Sequence, residues 1–159
     1  MSSPAFRIGN GFDVHRWSDD PERELVLGGV RFPEARALAG HSDADAIAHA
    51  VIDAMLGAVG HGDIGSLFPD TDPALAGADS IVLLRTAAAQ LANLGWSLVN
   101  ADCTVVLDTP KIAPYRATME ENLTAAAGGP VTVKGKRTEG VGSLTEGVQC
   151  HASALMVMS

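Results

Sequence analysis

The last apolar segment of the chain, VQCHASALMVM, constrains the fold more than any other stretch. Side chains of a β-strand alternate between two faces, so Ala154, Met156 and Met158 lie on one face, and Leu155 and Val157 lie on the other. Helices can cover one apolar face of a sheet, but the second face then needs a partner. The segment therefore predicts a sheet with helices on one face and a second copy of the sheet facing the other.

The rest of the chain alternates strand-like and helical patterns, with no repeat and no linker. FRIGNGFDV, WSLVNADCTVVLD and VTVKGK read as strands, and two short apolar runs around Gly28-Gly29 indicate a hairpin. Three helices are predicted, over Ser42–Gly60, from an N-cap at Ser80 to Gly95, and over about Tyr115–Ala127. These patterns predict one α/β domain over residues 1–159 with a mixed β-sheet.

Charge and composition exclude several classes of function. The net charge of −8 argues against a nucleic-acid or anionic-membrane partner, and any phosphate site must be made positive locally. No apolar run approaches the length of a membrane span, and MSSPAFRIG lacks a signal-like stretch, so a cytoplasmic location is expected. Cys103 and Cys150 are isolated and are expected to be free thiols in the core.

The segment GFDVHRW places Asp13 and His15 two residues apart. In a strand both side chains point to the same face, where a carboxylate and an imidazole make two thirds of a zinc or manganese site. Taken alone, such a pair is more often a hydrogen-bonded surface pair than a metal site.

A third ligand is expected in the helical segment HSDADAIAHAVID. Asp45, His49 and Asp53 are spaced four residues apart, so a carboxylate one turn away could orient the free ring nitrogen of His49. The alternative is a solvated helix edge. One carboxylate and two imidazoles, from Asp13, His15 and His49, leave a fourth position open, as in a catalytic zinc site.

His41 and Ser42 open the same predicted helix. Ser42 can cap it, which would turn the first-turn amides toward an anion, and His41 could donate to a phosphoryl oxygen. Capping explains Ser42 but does not explain His41.

Five segments, GFDVH, GHSDADAIAH, GDIGSLFPDTDP, DTPK and KGKRTEG, together resemble the successive motifs of the 2-C-methyl-D-erythritol 2,4-cyclodiphosphate synthase family. They occur in that family's order across nearly the whole chain. The resemblance implies a homotrimeric, metal-dependent lyase of the non-mevalonate isoprenoid pathway. Its substrate would be 4-diphosphocytidyl-2-C-methyl-D-erythritol 2-phosphate, which is converted to the cyclic 2,4-diphosphate with release of CMP.

The resemblance also implies roles for individual residues. The zinc ligands would be Asp13, His15 and His49, with manganese as an alternative metal, and Glu139 would bind a second divalent ion, magnesium or manganese. His41 and Ser42 would contact the substrate, and His41 would assist the transition state. The methylerythritol part would be held by Asp63, Gly65, Phe68 and Asp70. A neighbouring subunit would supply the cytidine pocket over Leu107–Ala113, which includes Pro110 and Lys111.

The implied chemistry suits these residue types. The attacking group is a phosphate that is already ionised and tethered within the substrate, so no general base is needed. The protein has to position the phosphates and neutralise their charge.

The chain departs from the family pattern at two places. Arg137 stands where the family commonly has a Thr that steadies the phosphoryl group; either Arg137 contacts phosphate, or it points to solvent and Thr138 substitutes for it. The segment EGVGSLTEGVQ has Ser143 in place of a Phe and lacks an Arg with which family members grip a prenyl diphosphate on the trimer axis. Weak prenyl diphosphate binding is therefore predicted, unless Lys136 or Arg137 turns inward.

Two other functions share some of these features. A zinc-dependent phosphohydrolase would use the same ligands without a cytidine pocket. A non-catalytic trimeric homologue would bind metal and nucleotide without turning over substrate.

Overall fold

The computed structural model describes residues 5–158, and within them the strands and helices alternate as the sequence predicts. The strands are β1 (Ala5–Arg16), β2 (Leu25–Leu27), β3 (Val30–Phe32), β4 (Trp96–Val106), β5 (Val131–Lys136) and β6 (Gly147–Met158). The helices are α1 (Ala46–Val59), α2 (Ile64–Leu67), α3 (Ser80–Asn93) and α4 (Arg116–Ala127), with 3₁₀ turns at Pro73–Leu75, Ala113–Tyr115 and Gly142–Glu146.

The main sheet has the strand order β1-β6-β4-β5. β6 runs antiparallel to β1 and to β4, whereas β4 and β5 are parallel because α4 connects them as a crossover. β2 and β3 form a separate hairpin. Helices α1, α3 and α4 pack against one face of the main sheet, so the predicted mixed sheet with helices on one face is confirmed.

Two glycines of β1 bring this strand close to α1. Gly9 and Gly11 lie on the helix-facing side, and a Cβ at either position would come within 1.9 Å of a helix carbonyl, of Ala54 or of Ala50. Asp13 and His15 follow on the same side of the strand by the two-residue alternation. The close approach therefore presents both side chains to the face of α1 that carries His49.

The N-terminus of α1 differs from the prediction. The capping residue is Asp45, whose Oδ1 accepts from the amides of Ile47 at 3.1 Å and Ala48 at 3.2 Å. Asp45 also accepts from the Gly28 and Gly29 amides of the hairpin, at 2.9 and 2.8 Å. The expectation that Ser42 caps this helix is therefore wrong, and the first-turn amides of Ile47 and Ala48 are already bonded to Asp45.

The second predicted helix is shifted slightly at both ends. Asp79, not Ser80, caps α3 through the amides of Ile81 and Val82, and the helix ends at Asn93. Ser80 is the first helical residue, which leaves its hydroxyl available for contacts outside the helix.

The sheet face opposite the helices remains open in one chain. Phe6, Ile8, Phe12 and Val14 of β1 lie on this side, and between 46 and 77% of each is exposed. Next to them, Leu155 and Val157 of β6 are half-buried. This is the apolar second face that the sequence predicts.

Two smaller predictions can be compared with the fold. Cys103 and Cys150 are free and fully buried, as expected for small core residues. Within residues 5–158, none of the helices is both long enough and apolar enough to cross a membrane.

Candidate metal and substrate site

Asp13, His15 and His49 converge on one point at the junction of β1 and α1. Asp13 Oδ2 lies 2.9 Å from His15 Nε2 and 3.3 Å from His49 Nδ1, and the two ring nitrogens are 3.3 Å apart. His49 is buried, whereas Asp13 and His15 are partly buried. The interpretation of His49 as part of a solvated helix edge is therefore wrong, and the Asp13–His15 pair is only partly exposed.

The backbone fixes the outer nitrogen of His15. Its Nδ1 lies 2.7 Å from the carbonyl of Ala39, and because a carbonyl can only accept, Nδ1 carries the proton. Gly40 lets this loop close over the ring, since a Cβ there would come within 3.1 Å of His15. Arg23 holds the same loop by donating to the carbonyls of Leu38 and Ser42. When the ring is neutral, Nε2 therefore carries the lone pair and faces Asp13.

The cluster has the chemistry of a cation site. Asp13 Oδ2 is buried and, among the described residues, receives no hydrogen bond of acceptable geometry. Burial alone would raise the pKa of Asp13, but hydrogen bonds and positive charge from His15 and His49, when these rings carry protons on the nitrogens that face it, outweigh burial and hold that pKa well below its usual range. For His15, burial lowers the pKa and Asp13 raises it more, so the net shift is upward. A carboxylate and two imidazole nitrogens that converge in this way fit a divalent metal ion.

The outer nitrogen of His49 does not contact a carboxylate on its own helix. Its Nε2 lies 2.8 Å from Ser80 Oγ and 3.2 Å from Ser42 Oγ. Asp45 is used as the helix cap, and Asp53 accepts from the Ile64 amide at 2.7 Å. The predicted orientation of His49 by a carboxylate one turn away is therefore wrong.

A cavity of about 400 Å³ opens onto the cluster. Its walls include five of the predicted substrate contacts: His41, Ser42, Gly65, Phe68 and Asp70. His41 is exposed, and its Nε2 lies 3.0 Å from the Asp72 carbonyl. Asp63 does not line this cavity; its carboxylate caps α2 and accepts from the Ser66 amide and hydroxyl, both at 2.7 Å.

The other predicted residues lie away from the metal cluster. Pro110, Lys111 and Arg137 line a second cavity of about 420 Å³ on the 107–113 loop. Arg137 is 78% exposed, with its Nε 3.9 Å from Asp108 Oδ1. Glu139 is exposed and has a left-handed backbone, with φ 52°. One chain therefore does not bring these residues to the metal cluster.

Thr138 occupies a different position from its neighbour Arg137. It is buried, its hydroxyl donates to Asp108 Oδ2 at 2.6 Å, and its amide donates to Asp108 Oδ1 at 3.1 Å. It lines a third cavity, of about 870 Å³, together with Trp17, Phe32 and Tyr115. The proton of the Thr138 hydroxyl is thus already used in a hydrogen bond to Asp108 of the same chain.

Sequence reasoning missed several residues that shape the site. Gly40, Arg23 and Ser80 hold the two histidines, and Ile64, Leu75 and Leu83 complete the walls of the 400 Å³ cavity. The Gly-x-Gly spacing before Asp13 is a signal that could have indicated the close approach of a helix. No sequence signal marks Ser80, because it reaches His49 across 31 residues.

The comparisons with known proteins match this geometry to a family. Residues 6–158 match the YgbB family. The chain belongs to the YgbB family. A member from Dechloromonas aromatica, named 2-C-methyl-D-erythritol 2,4-cyclodiphosphate synthase, is 51% identical over 156 residues, which cover 95% of this chain and 96% of that protein. A relative of the same name from Neisseria gonorrhoeae is 48% identical, with 95 and 96% covered.

Solved structures of YgbB relatives have the same fold. A 2C-methyl-D-erythritol-2,4-cyclodiphosphate synthase described as a CDP-bound form is 38% identical, with a TM-score of 0.85, and 94% of this chain and 99% of that chain are covered. The IspF CDP complex from Plasmodium falciparum is 32% identical, with a TM-score of 0.83 and 99% of each chain covered. The bifunctional IspDF from Campylobacter jejuni gives 35% identity and a TM-score of 0.91, where this chain spans 43% of that protein.

Proposed function

We propose that the protein is a cyclodiphosphate synthase of the non-mevalonate isoprenoid pathway. It converts 4-diphosphocytidyl-2-C-methyl-D-erythritol 2-phosphate to 2-C-methyl-D-erythritol 2,4-cyclodiphosphate and releases CMP. The observation that carries the proposal is the convergence of Asp13, His15 and His49 at the floor of a cavity walled by His41, Ser42 and Phe68. The names of relatives at about half identity support the same activity.

In this reaction an oxygen of the 2-phosphate attacks the β-phosphorus of the diphosphate, a new phosphorus–oxygen bond forms, and the bond to the α-phosphate breaks. The electron pair leaves with CMP as a stabilised anion, so the chain needs no general base. His41 would donate a hydrogen bond to a phosphoryl oxygen as negative charge shifts in the transition state. Phe68 and the neighbouring backbone of the 63–70 loop would hold the methylerythritol part, and Asp70 would accept from its hydroxyls.

Zn²⁺ is the proposed ion at Asp13, His15 and His49, with Mn²⁺ as the alternative, and Mg²⁺ or Mn²⁺ is proposed at Glu139. When bound, these ions neutralise phosphate charge and act as Lewis acids. The chain supplies the donor atoms and the geometry: two imidazole nitrogens and one carboxylate oxygen within 3.3 Å of one another at the first site.

The proposed assembly is a homotrimer with its open sheet faces together and with sites shared between subunits. Two features support it. The open face carries a band of exposed apolar side chains on β1, and exposed apolar patches of this kind mark interfaces. The residues expected to bind cytidine, Pro110 and Lys111, line a cavity that does not include the metal cluster, so a second chain could complete the site.

Incubation of the pure protein with the diphosphocytidyl substrate, Zn²⁺ and Mg²⁺ tests the proposal. CMP and the cyclic diphosphate should appear in equal amounts, without orthophosphate. Release of orthophosphate would instead identify a phosphohydrolase. Binding of CMP and metal without any product would identify a non-catalytic homologue.

A further inference from the structure

The outer nitrogen of His49 begins a buried chain of hydrogen bonds that ends at Asp43. His49 Nε2 lies 2.8 Å from the hydroxyl of Ser80. That hydroxyl donates to Asp43 Oδ1, and the amide of Ser80 donates to Asp43 Oδ2 at 3.0 Å. His49 and Ser80 are both buried, and Asp43 is half-buried. Solvent therefore has little access to this chain of contacts.

The direction of these hydrogen bonds follows from the number of protons. A carboxylate can only accept, and a serine hydroxyl has one hydrogen. Because that hydrogen goes to Asp43, Ser80 Oγ offers only lone pairs to His49, and the ring must donate from Nε2. A neutral imidazole protonated at Nε2 keeps its lone pair on Nδ1, the atom that faces Asp13.

Ser42 does not alter this conclusion. Its Oγ is farther from His49 Nε2, at 3.2 Å, and already accepts from the Ala44 amide at 3.2 Å. Once Ser80 has fixed the proton on Nε2, the Ser42 oxygen can only be a second and longer acceptor.

We propose that Asp43 and Ser80 are positioning residues that fix the tautomer of His49 and aim its Nδ1 at the metal ion. The proposal rests on the metal site of the proposed function but does not involve the substrate. Metal-binding histidines usually donate their other N–H to a fixed acceptor, and loss of that acceptor costs about 10–100-fold in metal affinity or activity. In this protein a serine stands between the ring and the carboxylate.

The position of Ser80 also links the metal site to the substrate cavity. Ser80 is the first residue of α3, directly after the 61–79 loop that carries Gly65, Phe68 and Asp70. Asp43 anchors the end of that loop a second time, because its amide donates to the Ala78 carbonyl at 3.0 Å. The segments that wall the cavity thus also hold the ligand ring in place.

The first test is zinc retention by Ser80→Ala, with Thr86→Ala as the matched control. Thr86 is an exposed residue of the same helix. Its hydroxyl donates to the Val82 carbonyl and makes no contact with the metal cluster. Competition with a chromogenic chelator measures the zinc dissociation constant. Ser80→Ala should weaken zinc binding by about 10–100-fold, and Thr86→Ala should leave it within about twofold. Wild-type affinity in Ser80→Ala would overturn the proposal.

The second test reads the tautomer directly. Nitrogen-15 spectra of the histidine rings in the metal-free protein are recorded at about pH 8.5, where an ordinary imidazole is neutral. Wild-type His49 should carry its proton on Nε2. Asp43→Ala removes the acceptor of the Ser80 hydroxyl. The hydroxyl is then free to donate to the ring, and the ring proton should move to Nδ1.

A wild-type His49 protonated on Nδ1, or an Asp43→Ala variant in which the proton stays on Nε2, would contradict the proposal. The wild-type spectrum decides the question even if a variant fails to fold. Neither readout uses turnover, so failure of the cyclisation assay and failure of this proposal are distinguishable.

Discussion

The two halves of the candidate site differ in how completely a single chain builds them. Around Asp13, His15 and His49 the side chains are largely buried, and both outer ring nitrogens have partners. Around Lys111 and Arg137 the side chains are exposed and line a cavity of their own. We call the cluster of Asp13, His15 and His49 the metal half, and the region of Lys111 and Arg137, which is proposed to bind the nucleotide, the nucleotide half. The metal half is preorganised within one protomer, whereas the nucleotide half is an open surface.

A physical reason accounts for this difference. A carboxylate oxygen that is buried without a hydrogen-bond donor is costly unless a cation occupies the site, so its surroundings must be rigid. The nucleotide half instead supplies charge, because four cations line the 420 Å³ cavity: Lys111, Arg116, Lys136 and Arg137. In a chain of net charge −8, these side chains would provide the local positive charge that the proposed phosphate site needs.

The largest expected effect is loss of the metal half through His49→Ala. Zinc should be lost, and turnover should fall by on the order of 10³-fold or more, because a bound metal contributes several kcal/mol of charge stabilisation. The helix should still form, since Ala is a better helix former than His. Metal analysis and circular dichroism check both statements, with His61→Ala, an exposed histidine beyond α1, as the control.

Full zinc occupancy in His49→Ala would show that His49 is not a ligand. A similar loss in His61→Ala would show that the effect is not specific to the cluster.

A subunit-mixing experiment tests whether the two halves meet only between chains. Asp13→Ala removes the metal half and Lys111→Ala weakens the nucleotide half. After subunit exchange, roughly one quarter of the interfaces in a 1:1 mixed ring should combine two intact halves and recover activity. If exchange is shown by mass spectrometry and activity does not return, the shared-site arrangement is wrong.

The sequence predicted the parts of the fold and site that depend on local pattern. Asp13 and His15 share a strand face by simple alternation, and the Gly28-Gly29 turn has the positive φ values, 56° and 72°, that favour glycine. The candidate ligand His49 also followed from its place on an amphipathic helix.

The details that failed depend on tertiary contacts. Ser42, Asp43 and Asp45 are all capping residue types within four positions, so propensity alone could not choose among them. The β2–β3 hairpin determines which of them is the cap, because the amides of Gly28 and Gly29 need an acceptor and Asp45 provides it. Likewise, Ser80 contacts His49 only because α3 packs beside α1.

A smaller effect is expected inside the nucleotide half. Arg137→Ala should lower kcat/KM by about 10-fold through loss of a charge-assisted phosphate contact, and Arg137→Lys should lower it less. Thr138→Val should chiefly lower the thermal midpoint, because the buried Thr138 hydroxyl bonds Asp108 rather than facing the cavity that Arg137 lines. Steady-state kinetics and thermal unfolding of the three variants separate these effects. Normal kinetics in Arg137→Ala with impaired turnover in Thr138→Val would reverse the assignment.

The smallest expected effect concerns the axis of the proposed trimer, where little binding of prenyl diphosphates is predicted. The segment from Glu139 to Gly147 contains no Lys or Arg, and Ser143 on its 3₁₀ turn is exposed and small. A diphosphate buried at the axis would lack a charge-assisted partner, which is costly, and the prenyl chain would lose an aromatic contact. The alternative donor, Arg137, lines the cavity on the 107–113 loop and is paired at 3.9 Å with Asp108, so an inward turn would remove it from the nucleotide half.

Calorimetric titration with farnesyl diphosphate should therefore give no tight signal, and an added excess of CMP should change nothing. Tight binding of one molecule per trimer that persists in excess CMP would contradict this prediction, and its loss in Arg137→Ala would identify the cation responsible.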